Sequence, residues 1–338
     1  MRSWVRIGVT ALFVGVLPVP VAAAMPLSGW GATQKVDEIP GNSSELNTAA
    51  VDGCPIQAPN GLSLYLASNR PGGLGGLDIW VARRASRDVP FGAPENLGTP
   101  VNSAADDFCP TPVRGNGLYF VSRRTTTESC GLGDIYRTRF NRVHGWREPE
   151  QLACAPAGPN TALDEQGPSL VKVDETTLLY FSSSSPSVPG DIFVSERGAD
   201  GRFGPASPVA ELNGSANDIQ PNVRKDGREI VFSSNRTGSQ GQDIWASTRD
   251  DVDDPWSPPT NLGGAVNTEA AETRPSLSWD ARTLYFGRAP GPEGGSDIYR
   301  ATRQKFDDSD DDDSDADDSD ADDSDDDDSH DDDSHDDD

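Results

Sequence analysis

One feature constrains this chain above all others: the same short pattern returns five times. An Asp-Ile pair followed by an aromatic occurs as Asp78-Ile79-Trp80, Asp134-Ile135-Tyr136, Asp191-Ile192-Phe193, Asp243-Ile244-Trp245 and Asp297-Ile298-Tyr299, at spacings of 56, 57, 52 and 54 residues. Ahead of each pair lies an apolar run, such as Leu64-Tyr65-Leu66 or Ile230-Val231-Phe232. Ahead of that comes an acid three residues before a proline: Asp52/Pro55, Asp107/Pro110, Glu165/Pro168, Asp218/Pro221 and Glu272/Pro275. After the first four pairs an aromatic, a proline and a leucine follow in order, beginning with Phe91, Trp146, Phe203 and Trp256. A supersecondary unit of this size cannot bury its apolar face alone, so the copies must pack against one another.

Each copy reads as four short strands, A to D, separated by turn residues. Short strands at this spacing imply antiparallel hairpins, and a four-stranded unit repeated in this way predicts the blade of a β-propeller. With 34 Gly and 27 Pro in 338 residues, long helices are disfavoured. The fifth copy has strands A, B and C but no D, because an Asp-rich stretch starts at Asp307. The segment from Trp30 to Ile39 has the character of strand D and precedes the first A strand. It is expected to complete the last blade and close the ring, since an open ring would leave two unpaired edges. The expected fold is all-β: a five-bladed β-propeller closed by an N-terminal strand, with a disordered acidic tail.

The combined pattern of D-x-x-P, LYFxSxR, a Gly-rich turn and DIY resembles the TolB-type WD-repeat-like β-propeller repeat. Residues 64–80 (LYLASNRPGGLGGLDIW) and 230–245 (IVFSSNRTGSQGQDIW) carry the resemblance most clearly. It spans residues 30–306 and implies the propeller fold. It does not extend to TolB itself, whose separate N-terminal domain has no counterpart here. Propellers of this family are mostly binding or scaffold modules, so the resemblance implies such a role.

The formal net charge of −28 describes two different objects. Residues 307–338 contain 22 Asp, 6 Ser, 2 Ala and 2 His, whereas residues 25–306 carry 26 basic against 34 acidic side chains. No basic face is on offer, so nucleic-acid binding is not expected. The Asp/Ser tail has no apolar surface and repels itself, which predicts disorder. It lacks the glycine of a D-x-D-x-D-G loop, so any Ca²⁺ binding is expected to be weak and diffuse; no other cofactor is expected. Residues 1–24 read as a signal peptide: Arg2 and Arg6, an apolar run from Ile7 to Val16, then Ala22-Ala23-Ala24. The mature chain, with its propeller at residues 25–306, is expected in the periplasm or outside the cell, as a monomer with no membrane span.

An even count of four cysteines in an exported chain suggests two disulfides. Cys54 and Cys109 occupy the same repeat position in adjacent A strands. Cys130 lies in the B–C loop of blade 2 and Cys154 in the next D–A loop, on the same face. Of three connectivities, Cys54–Cys109 with Cys130–Cys154 is the expected one.

In an antiparallel meander the D–A and B–C loops share one face. That face should carry Asp52, Asp107, Glu165, Asp218 and Glu272, together with Arg70, Arg124 and Arg236, while blades 3 and 5 have Ser185 and Pro290 in place of the arginine. Loops on a rigid scaffold are the natural binding surface. The bland alternative is that each acid accepts backbone N–H bonds or pairs with an arginine of a neighbouring blade, and that each Asp of an Asp-Ile pair fixes its own turn. Trp279, which has no counterpart in the other blades, is a candidate ligand contact. No catalytic residue stands out, no Ser-His-Asp arrangement is supported, and His144 lies in a C–D loop away from this face. The leading expectation is an exported, non-enzymatic module that binds a protein or glycan through the D–A/B–C face. The alternatives are a glycan-active hydrolase or lyase using carboxylates near the central channel, and a cation-binding surface protein acting through its tail.

Overall fold

The computed structural model describes residues 29–304, so the signal-peptide and acidic-tail expectations lie outside the described residues. Twenty-one strands form five antiparallel sheets arranged as blades. In chain order, β1 (Gln34–Lys35) leaves for the last blade; β2 (Asp52–Gln57), β3 (Ser63–Ser68), β4 (Asp78–Arg83) and β5 (Glu95–Asn96) form blade 1. Blade 2 holds β6 (Asp107–Val113), β7 (Gly117–Ser122), β8 (Asp134–Asn141), the side strand β9 (Gly145–Trp146) and β10 (Glu150–Gln151). Blade 3 holds β11 (Asp164–Val173), β12 (Thr176–Ser185), β13 (Val188–Glu196) and β14 (Ser207–Pro208). Blade 4 holds β15 (Asp218–Val223), β16 (Glu229–Ser234), β17 (Asp243–Thr248) and β18 (Thr260–Asn261). Blade 5 holds β19 (Ala271–Leu277), β20 (Thr283–Ala289) and β21 (Asp297–Thr302).

The expected closure is present: β1 pairs antiparallel with β21, placing Gln34 opposite Arg300 and Lys35 opposite Tyr299. Trp30 supports it by lying under the Arg303 guanidinium, 4.3 Å from the ring centre. Arg303 in turn forms a buried two-pronged contact with Glu229 of blade 4, at 2.8 and 2.7 Å. The outer strands are only two residues long in every blade. Prolines flank them, as in Pro149 before β10 and Pro258-Pro259 before β18, and proline cannot donate to a ladder.

The D/E-x-x-P element has a clear mechanical meaning. In all five blades the A–B pairing slips at this point, giving a bulge just after the acid. The residue before the proline takes a left-handed backbone: φ is 48° at Cys54, 49° at Cys109, 59° at Gly167, 56° at Gln220 and 58° at Arg274. A bulge re-aims a side chain, and here the five residues line the central channel. Cys54 and Cys109 therefore meet across neighbouring bulges and are joined, Cα to Cα 4.9 Å; the second bridge joins Cys130 and Cys154 at 5.5 Å. Two disulfides suit an oxidising compartment. Among the described residues no helix is long and apolar enough to cross a membrane.

A second repeated residue ties the blades together. Asn47, Asn102, Asn160, Asn213 and Asn267 each lie five residues before the repeated acid. Each amide oxygen accepts from, and each amide nitrogen donates to, the backbone of the Asp-Ile isoleucine in the preceding blade. Asn102 holds Ile79 at 2.9 and 2.9 Å, and Asn267 holds Ile244 at 2.8 and 2.9 Å. Asn47 does the same for Ile298, so the ring closes through the amide as well as through β1. Around these contacts the apolar side chains of adjacent blades merge into shared clusters, such as Tyr180 and Ile192 of blade 3 with Ile230 and Phe232 of blade 4. Replacing Asn267 by Ala strands the buried N–H of Ile244, whose C=O keeps only the Leu262 N–H. The variant is expected to lose about 1–3 kcal/mol of stability, read from the urea unfolding midpoint at unchanged slope.

Candidate functional site

The five repeated acids carry no exposed surface: Asp52, Asp107, Glu165, Asp218 and Glu272 are each 0% exposed. Four of them pair with an arginine of their own blade. Arg70 meets Asp52 at 2.5 Å, Arg124 meets Asp107 at 2.8 Å, and Arg236 meets Asp218. In blade 5 the partner is Arg288, at 2.7 Å from Glu272, two residues ahead of Pro290. The pairing is thus within each blade rather than between neighbours. Each guanidinium also lies over the aromatic of its Asp-Ile strand, Arg70 over Trp80 at 5.3 Å and Arg288 over Tyr299 at 4.2 Å, and donates to a D–A loop carbonyl such as Leu46 or Val266. A backbone N–H four residues earlier caps the other carboxylate oxygen in these four blades, joined there by the hydroxyl of Thr48 or Ser103, while the Thr268 hydroxyl donates to the oxygen that Arg288 binds.

Blade 3 departs from this plan. Ser185 replaces the arginine, and Glu165 is held only by Thr161 and Ser183, the latter at 2.9 Å. Its Oε2 is buried without a partner, as is Oδ1 of Asp134 from the adjoining blade. Burial, with the Asp134 charge adding to it, pushes the Glu165 carboxyl up to about 7. Burial also raises Asp134 above the usual carboxylate range.

Two acids not singled out from the sequence reach the mouth of the channel. Asp106 and Asp164 immediately precede Asp107 and Glu165, and both bind one guanidinium, that of Arg123. The distances are 3.0 Å from Nη1 to Asp106 and 2.7 Å from Nη2 to Asp164. The side chains are open to solvent to different degrees: 40% for Arg123, 30% for Asp106 and 11% for Asp164. Burial lowers the Arg123 guanidinium, but the two carboxylates outweigh it and hold it above its ordinary value. A hydrogen-bonded chain continues inward from Asp164 through Gln166 at 3.1 Å and Gln220 at 3.0 Å to the backbone N–H of Arg274.

The Asp of the Asp-Ile pair accepts backbone N–H bonds from its own turn in four blades: at Asp78, Asp134, Asp243 and Asp297. Blade 3 has no Gly-rich turn, and Asp191 is raised instead by burial and by Asp218. Trp279 is flanked by Arg114 at 5.1 Å and Lys225 at 5.5 Å, on A–B turns of blades 2 and 4. Among the described residues no group of three or more His, Cys, Asp or Glu is arranged to hold a metal ion.

No family model and no curated protein matches the chain. Solved structures do. A thermostable family-43 glycoside hydrolase aligns over 80% of this chain and 93% of its own, at 15% identity and a TM-score of 0.51. A GH43_12 protein retrieved from a capybara gut metagenome aligns over 81% of this chain and 57% of its own, at 14% identity and a TM-score of 0.50. At these identities the likeness establishes the five-bladed fold. The leading functional expectation, a non-enzymatic binding or scaffold module, is not retained, because the aligned propellers are described as a family-43 glycoside hydrolase and a GH43_12 protein.

The lone Glu165 has a measurable signature. Its folded pKa lies above that of the unfolded chain, so it contributes stability below about pH 4.5 that is lost as pH rises through about 7. Urea midpoints of Glu165→Gln and wild type are expected to move apart as pH rises from about 4.5 to about 7 and to keep that gap above it, with the variant gaining relative to wild type. Ser185→Arg, which supplies the guanidinium of the other blades, is expected to remove the same pH dependence.

Proposed function

We propose that the protein is an exported glycan-active hydrolase working at the D–A/B–C mouth of the channel. The observation that carries this reading is the pair Asp106 and Asp164, held on two nitrogens of the single Arg123 guanidinium at the solvent-facing end of the channel. Cleavage of a glycosidic bond needs two carboxyl groups. One protonates the leaving oxygen, and the other attacks the anomeric carbon or activates a water that does so. Arg123 fixes both groups, and the bulged inner strands beneath them give a rigid floor. The repeated acids serve a different purpose. Asp52, Asp107, Asp218 and Glu272 are neutralised inside their blades and fix the loops that present the mouth. Fold likeness to glycoside hydrolases supports the reaction class, and the two disulfides support export.

The test is turnover of a panel of neutral and acidic polysaccharides by the full chain, followed by reducing-end release. Asp106→Asn and Asp164→Asn are each expected to lower kcat by about 100-fold or more on the substrate cleaved. Absence of turnover on the whole panel, or undiminished turnover by the double variant, overturns the reading.

A further inference from the structure

The ring of five bulge residues at the channel neck contains one charge. Cys54 and Cys109 are joined to each other, Gly167 has no side chain, and Gln220 is neutral, which leaves Arg274. Burial, reinforced by the nearby Arg123 and opposed in part by Asp164, lowers its guanidinium to about 10. Among the described residues this guanidinium forms no ion pair and donates no hydrogen bond; its contact is with the face of Phe108, at 5.9 Å from the ring centre. Five N–H donors are thus left without a protein acceptor.

The acids that could have paired with it are already engaged. Asp164 is taken by Arg123 and Gln166, and Asp106 by Arg123 and the Leu77 N–H. Asp52 and Glu272 are held by Arg70 and Arg288. Arg123 approaches the same ring, 5.0 Å from the centre of Phe108, so two cationic heads converge on one side chain. Arg123 is matched by its two carboxylates, whereas Arg274 has no paired anion, and a small anion at its guanidinium supplies one. The neck has the right size for a small one. Its cavity of about 30 Å³ exceeds the ~10–15 Å³ that a water-sized guest requires, and is far below the volume of a sugar ring.

We propose that Arg274 anchors an anion site at the channel neck, taking one small monovalent anion of halide or carboxylate size. The site lies beneath the Asp106–Arg123–Asp164 mouth and does not depend on the hydrolase reading. It makes the folded propeller sensitive to which anion is present, beyond the general effect of ionic strength.

Thermal unfolding of the full chain in sodium chloride, sodium acetate and sodium gluconate at equal ionic strength tests it. The wild-type Tm is expected to be higher in chloride or acetate than in gluconate, which is too large for the neck, by roughly 5 °C near saturation. The better of the two small anions identifies the preferred guest. Arg274→Gln copies the residue and left-handed backbone of Gln220 in blade 4, and is expected to unfold at one temperature in all three salts. Equal wild-type midpoints, or an anion preference that survives in Arg274→Gln, overturn the proposal. Should that variant fail to fold, crystals of the wild type grown in bromide decide the matter. An anomalous peak in contact with Arg274 supports the site, and its absence overturns it.

Discussion

Each blade is held to the one before it by a side-chain amide, buried at four of the five joints and half-buried at Asn213. The repeated asparagine satisfies both backbone groups of the preceding isoleucine, and everything on the D–A/B–C face follows from that placement. With the asparagine fixed, the next residue caps the inner-strand acid through its backbone or hydroxyl. The acid then holds the arginine, and the arginine lies over the aromatic. A buried carboxylate is costly alone and inexpensive when paired and hydrogen-bonded. The network therefore fixes five loops at once, and leaves the residue just before each acid free to differ.

That freedom is where individuality enters. The positions preceding the acids are Val51, Asp106, Asp164, Asn217 and Ala271, and only two of the five are charged. The positions preceding the prolines likewise differ, and only Arg274 is charged. Copies that agree describe the scaffold; residues that break the agreement describe what the scaffold presents. Blade 3 breaks it most, with a long β12–β13 hairpin in place of a Gly-rich turn and an acid left without its arginine.

Much of this architecture was legible from residue order. The Asp-Ile recurrence gave the blade count, the missing fourth strand pointed to Trp30–Ile39, and the shared repeat position of Cys54 and Cys109 gave their bridge. The asparagines were as regular as the acids, at a constant offset of five, yet asparagine in a loop reads as ordinary turn chemistry. Arg288 is masked in the sequence because it stands where other blades have serine, and only the register opposite Glu272 reveals it as the partner. Asp106 and Asp164 were hidden beside stronger signals. Which of two adjacent acids points to the channel mouth depends on strand phase, and a one-residue shift exchanges the two.

The closing strand has a consequence for how the molecule bears load. Because β1 runs antiparallel to β21, Gly31 lies beside Thr302, bonded at 2.8 Å, and the two ends of the described fold leave the last blade side by side. Tension applied between them would peel this short pairing apart one bond at a time instead of shearing all its bonds together. The ring would part at its seam under modest force while the other four blades stayed folded. A tether at one end only would leave the seam unloaded, so the same propeller is robust when anchored once and weak when stretched between two attachments.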